Sequence, residues 1–108
     1  MATAYKVLGQ VIGSGTEATL YTVPSSTETI VSSIVICNIN ANAETFTIRV
    51  AVDNGTDNNK QLIAKDTPIA ANDTIIMTLG LTIDASDTIQ VASSDTNVVF
   101  NAFGSEIT

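Results

Sequence analysis

The chain's acid–base and nucleophilic chemistry rests mainly on eleven acidic residues, four basic residues and one cysteine, and histidine is absent. Without histidine the chain lacks the commonest general base, the commonest metal ligand and any Ser-His triad. One cysteine excludes an intrachain disulfide and a Cys/His zinc site within one chain. There is no GxxxxGK or GxGxxG phosphate cradle, and Gly13-Ser14-Gly15 is short enough to be only a turn between strands. Two carboxylate pairs remain, Asp84 with Asp87 and Asp53 with Asp57. Acid–base work needs a carboxyl held in an apolar pocket. These four sit in polar stretches, where aspartate is favoured because it bonds its own backbone. Asp53 to Asn58 spaces oxygen ligands like the start of a calcium loop, but the twelfth position is Ala64 rather than glutamate, so a solvated hairpin loop is expected and a bound surface cation is the alternative. No catalytic, cofactor-binding or metal-ligating residue is assigned. The chain is expected not to be an enzyme and to carry no cofactor.

Two further residues invite a chemical reading. Cys37 follows the strand formers Val35 and Ile36 with no cation nearby to lower its pKa, so it is expected to be a small buried hydrophobe. Arg49, the only arginine, is expected on the solvated face of a strand; the sharper alternative makes it an intersubunit partner for a carboxylate.

Composition excludes whole classes of partner. Net charge is −7, and the cations Lys6, Arg49, Lys60 and Lys65 are scattered. Nucleic acids need a basic stripe, and anionic membranes repel such a chain. Charged residues make up 14% of the sequence, against about 25% in an average domain. Threonine, serine and asparagine take their place. The first six residues carry no basic region followed by an apolar run, so synthesis in a cytoplasm without a cleavable signal is expected. Asn54-Gly55-Thr56 and Asn72-Asp73-Thr74 match the glycosylation pattern, which is expected to be silent in that setting.

The elements that position these residues read as strands and turns. At 108 residues the chain fits one domain, residues 1–108. Apolar runs span Tyr5 to Ile12, Ala18 to Val23 and Thr29 to Cys37; in the last, Ile30, Ile34 and Ile36 fall on one face and Val31, Val35 and Cys37 on the other, which predicts burial on both sides. Glu44 to Asp53 alternates, with Phe46, Ile48, Val50 and Val52 pointing one way. A polar loop follows to Lys60, with Asn54-Gly55 as its turn signal, then a short strand from Gln61 to Lys65 and a connection through Pro68 to Asp73. Thr74 to Ile83 alternates again, with Gly80 marking a bulge or kink. Thr88 to Ala92 and Val98 to Phe103 complete the set, with Gly104 expected to break the last strand. About eight strands at this spacing predict an all-β antiparallel sandwich, jelly-roll or immunoglobulin-like.

The phrases Leu20-Tyr21-Thr22-Val23-Pro24, Val31 to Asn38 and Phe46 to Val52 resemble small virion proteins of tailed phages, including cyanophages. Asp66 to Thr74, Leu81 to Val91 and Phe103 to Glu106 are similar too. The resemblance covers most of the chain and consists of strand–turn phrases, so it carries no functional residue over. It implies a β-sandwich subunit of a virion, made in the host bacterial cytoplasm. Within that class it points to a head decoration (cement) protein that forms a symmetric homo-oligomer, such as a trimer, and binds the major capsid protein to reinforce the shell. Residues 1–4 and 105–108 would order on a partner. The alternative is a tail, baseplate or fibre component touching a receptor glycan, for which Tyr5, Tyr21, Phe46, Phe100 and Phe103 are the available aromatics. A cytoplasmic scaffold unrelated to phage, and a small hydrolase, are the remaining readings.

Overall fold

The computed structural model describes residues 2–108 and contains eight strands: β1 (Thr3–Ile12), β2 (Ala18–Thr22), β3 (Glu28–Asn38), β4 (Glu44–Ala51), β5 (Leu62–Ile69), β6 (Thr74–Ile83), β7 (Thr88–Ser93) and β8 (Val98–Ile107). They form two four-stranded antiparallel sheets, in the orders β1-β8-β3-β6 and β2-β7-β4-β5. Apart from the β4–β5 hairpin, every connection crosses from one sheet to the other. That interleaving is the jelly roll, so the immunoglobulin-like option falls away. The threonine, valine and isoleucine content explains the strands, because side chains branched at Cβ suit a pleated sheet better than a helix.

One core lies between the sheets. It includes Val31, Ile34 and Ile36 of β3, Phe46 and Ile48 of β4, Ile89 and Val91 of β7, and Val98, Phe100 and Ala102 of β8. Phe46 and Phe100 meet edge to face across it, with ring centroids 6.3 Å apart at 74°. Such a pair adds about 1 kcal/mol beyond the area it buries.

Several expectations are corrected. β3 is not apolar and buried on both sides: Val31, Ile34 and Ile36 face the core while Ile30 is exposed and Val35 and Cys37 are half-buried. Opposite β8, Ser32 is an extra residue, and this bulge switches the inward side from odd to even positions. In β4 the alternation breaks at Val50, so Ala51 is buried and Val52 is 68% exposed. β5 runs on through Pro68 to Ile69, because it is an edge strand and a missing N–H on the free edge costs nothing. The loop after β4 holds two 3₁₀ turns, Val52–Asn54 and Asn59–Gln61. Its left-handed residues are Asp53 and Asn54, whereas Gly55 has φ −65. Gly80, with φ +61, does mark a bulge: β6 has Leu79 and Gly80 where β3 has only Ser32.

The last strand does not stop at Gly104 but continues to Ile107. A Cβ at residue 104 would sit 2.0 Å from the Ile30 carbonyl oxygen. The glycine is there so that β8 can lie close to β3. The ends are not loose either: Ala2 and Thr108 exchange two backbone hydrogen bonds, of 3.0 and 2.8 Å, at the end of the β1–β8 ladder. Met1, part of the expected N-terminal arm, lies outside the described residues.

Candidate functional site

Each sheet has an outward face, and the two differ in chemistry. On β1-β8-β3-β6 the register sets side chains in rows, because directly paired residues project to the same side. One row runs Ile12, Val99, Cys37, Thr74 and the next Gln10, Asn101, Val35, Ile76. Then come Val7, Phe103, Ser33, Thr78 and, beyond the bulges, Tyr5, Ser105, Ile30, Thr82. None of these side chains is charged. Tyr5 is 85% exposed and Ile76 67%. Four strands by four rows cover roughly 500 Å² of mixed apolar and neutral polar surface, at ~4.8 Å between strands and ~6.8 Å between rows. The largest apolar patch of an ordinary monomer is about this size and is often functional. Cys37 belongs here, half-buried between Val99 and Thr74, rather than in the core as expected.

The outward face of β2-β7-β4-β5 is polar. A groove of about 350 Å³ is lined by Thr45, Thr47 and Arg49 of β4, Lys65 and Asp66 of β5, and Glu17 and Ser94 from the flanking loops. Arg49 is not the solvated residue expected, since only 15% of its side chain is accessible. Its carboxylate partners come from its own chain: Nε lies 3.2 Å from Glu17 Oε2 and 3.8 Å from Asp57 Oδ2. Neither contact is directed well enough to be a hydrogen bond to Nε, which is buried without a partner. The guanidinium does donate from Nη1 to the Asn58 carbonyl at 3.1 Å. Burial, followed by the adjacent Asp57 carboxylate, pushes the Glu17 carboxyl above its usual range, against the pull of Arg49. The cluster therefore anchors the β4–β5 connection to the loop before β2.

A second polar cluster gathers around Tyr21, which lies in the row next to that of Arg49 but on the inward side of the same sheet. Tyr21 donates to Glu106, Thr29 Oγ1 lies 2.8 Å from the Tyr21 hydroxyl, and Lys6 Nζ lies 2.9 Å from Glu106 Oε1. Side chains of β1, β2, β3 and β8 meet here. The Tyr21 hydrogen bond, then that of Lys6, holds the Glu106 carboxyl below its usual range. Burial, then Glu106, pushes the Tyr21 phenol up to about 12. Sequence reasoning missed this cluster, because its members are far apart in the chain and match no motif.

The carboxylate pairs singled out in the sequence fall in turns. Asp87 accepts from the backbone N–H of Asp84 and of Asp53, each at 2.9 Å, and so fastens the β6–β7 turn to the 3₁₀ turn after β4. Asp57 faces Arg49, and Asn58 caps the second 3₁₀ turn. Among the described residues, no three of His, Cys, Asp and Glu converge as metal ligands would. Of the aromatics considered for glycan contact, Tyr21, Phe46 and Phe100 are in the core, Phe103 is half-buried and Tyr5 is exposed, and none lines the polar groove.

No known protein family and no curated protein matches the chain. Similarity appears in solved structures of virus particles. The chain is similar to part of a chain in the structure of infectious bursal disease virus, Gx strain, with TM-score 0.50 and 15% identity over 97% of this chain and 30% of that one. It is equally similar to the VP2 subviral particle of the same virus, at TM-score 0.50 and 15% identity over 97% of this chain and 32% of the other. The chain thus spans about a third of the length of the virus-particle chains it matches. At this identity the likeness concerns the fold: a jelly roll of the kind these virus particles contain.

Proposed function

We propose that this protein is a non-catalytic structural component of a virion, a single jelly-roll unit over residues 1–108 that oligomerises and decorates a capsid lattice. The observation that carries the reading is the outward face of β1-β8-β3-β6, where four successive rows carry no charge and Glu28 stands in the end row with Thr3 and Ile107. Covering those four rows strands no ion away from water, so contact with a lattice of major capsid proteins costs only the desolvation of hydroxyls and amides that fail to find new partners. The likeness in fold to virus-particle chains supports the same reading. The acidic surface elsewhere suits an outer layer that must not adsorb to nucleic acid. A tail or fibre role with glycan contact is the weaker reading, because the groove on the opposite sheet has no aromatic platform.

Cryo-electron microscopy of the source particle tests this directly. Density for the jelly roll on the head, with β1-β8-β3-β6 facing the capsomers, is the expected result. Density on the tail would replace the decoration role with the alternative. Absence of the chain from purified particles, checked by mass spectrometry, would overturn both.

A further inference from the structure

We propose that the free edge of β6 pairs with β6 of a second copy, joining two β1-β8-β3-β6 sheets across a two-fold axis. This rests on the oligomeric reading above and deepens it, naming the contact and making the unit a dimer rather than a trimer.

The argument begins with how sheet edges are protected. An unpaired strand invites another strand unless a charge, a proline, a bulge or shortness blunts it. The four edges here are β1, β6, β2 and β5. β1 carries Lys6 and an extra residue at Leu8. β2 has only five residues. β5 carries Lys65, Pro68 and Asp66 in a left-handed conformation at φ 46. β6 has ten residues with no charge and no proline; its one irregularity, the bulge at Leu79-Gly80, leaves Thr74 to Thr78 regular. Of its backbone donors, Thr74 N–H is already taken by Asp73 Oδ1 at 2.8 Å.

The sandwich is also open beside this strand. β1 and β2 lie against each other along one side, whereas β5 and β6 make no comparable contact along the other. The inward side chains Ile75, Met77, Leu79 and Leu81 consequently reach the core but stay only half-buried. A strand added at β6 would cover this apolar row.

Charge and symmetry select the occupant. Two copies at −7 each repel. β6 is the one strand longer than six residues without an ionisable side chain, so antiparallel approach along it brings carboxylates together only at its ends, where Asp73 of one copy adjoins Asp84 of the other. Antiparallel pairing of a strand with itself is two-fold by construction, so one patch serves both partners. A ten-residue strand is about 34 Å long. Multiplied by the 18 Å thickness of the molecule, this gives roughly 1,200 Å² buried in total, the low end for a specific dimer.

Alternation fixes the test. Outward residues must oppose outward residues, and the register nearest the strand midpoint sets Thr78 across from the partner's Thr78. Thr78 is exposed, so T78E and T78K should leave the monomer fold intact. In sedimentation at about 100 µM the wild type is expected to be dimeric, each variant monomeric, and their equimolar mixture dimeric again, because like charges across a pair repel and opposite charges attract. A monomeric wild type, or dimers that persist in both variants, would overturn the proposal. Hydrogen exchange of the wild type gives a readout independent of the variants: β6 amides should gain protection with concentration, and unchanged protection would also overturn it. A chain that is monomeric in solution yet present in particles would defeat the dimer and leave the virion reading standing. A dimer absent from particles would do the reverse.

Discussion

The two sheets share one core and turn opposite chemistry outward. The β1-β8-β3-β6 face presents Tyr5, Val7, Phe103, Val35 and Ile76, with Glu28 only in its end row, whereas β2-β7-β4-β5 presents Arg49, Lys65, Glu17 and Asp66 around a polar groove. Composition averages this away: a charge-poor chain looks charge-poor everywhere. The pairing register shows instead that one face keeps its charge to an end row, at Glu28. Its charge-free rows can be covered by a partner without stranding an ion, while the other face would strand buried ions unless each found a counter-charge.

The largest effect is expected where β3 and β8 are zipped together. Gly104→Ala places a Cβ 2.0 Å from the Ile30 carbonyl oxygen, and neither backbone can yield without losing the β3–β8 ladder. The cost should be about 4 kcal/mol or more, a large part of a small domain's stability. Gly15→Ala, at the rim of the polar groove and with nothing within 4 Å, should change the urea midpoint little. Equal midpoints for the two variants would show that β8 can shift away from β3, and that the face is not held rigid.

The second comparison sets association against folding. Val35 is half-buried on the β1-β8-β3-β6 face, so Val35→Asp should cost the monomer only about 1 kcal/mol. If that face is the contact surface, the same charge should weaken particle binding at least ~10-fold, equivalent to about 1.4 kcal/mol. Lys65→Ala on the opposite sheet, where the side chain is 59% exposed, should leave both unchanged. Binding assays with depleted particles would decide; equal losses from the two variants would remove the distinction between the faces.

Much of this architecture was legible in the sequence. Period-two alternation placed β6 from Thr74 to Ile83 and put Ile75, Met77, Leu79, Leu81 and Ile83 on its inward side. Hidden were the points where one residue changes parity. Ser32 carries no apolar signal, yet as a bulge it reverses which β3 side chains face the core, sending Val35 and Cys37 outward. Pro68 and Gly104 were misread as strand breakers, because their tolerance depends on an edge position and a close neighbour that only the topology supplies. The same limit hid the Arg49 and Glu106 clusters. Arg49 to Glu17, and Tyr21 to Glu106, are long-range meetings with no local pattern.

The smallest effects concern the two glutamates, whose carboxyls are displaced in opposite directions. Glu106 is held low by Tyr21 and Lys6, so its contribution is present above the unfolded value near 4.5 and is lost as pH falls through its folded value. Glu17 is pushed up by burial and by Asp57, so its ionised form penalises the fold at neutral pH; that penalty disappears as pH falls through its folded value towards 4.5. The wild type therefore sums two opposing slopes. Glu106→Gln should lower stability at neutral pH and flatten the acid loss. Glu17→Gln should raise stability at neutral pH relative to acid, removing the gain on acidification. Urea unfolding from about pH 3 to about pH 7 reads both. Identical profiles for the two variants would mean that Arg49 balances Glu17 as fully as Tyr21 and Lys6 balance Glu106, and that the polar groove carries no electrostatic strain.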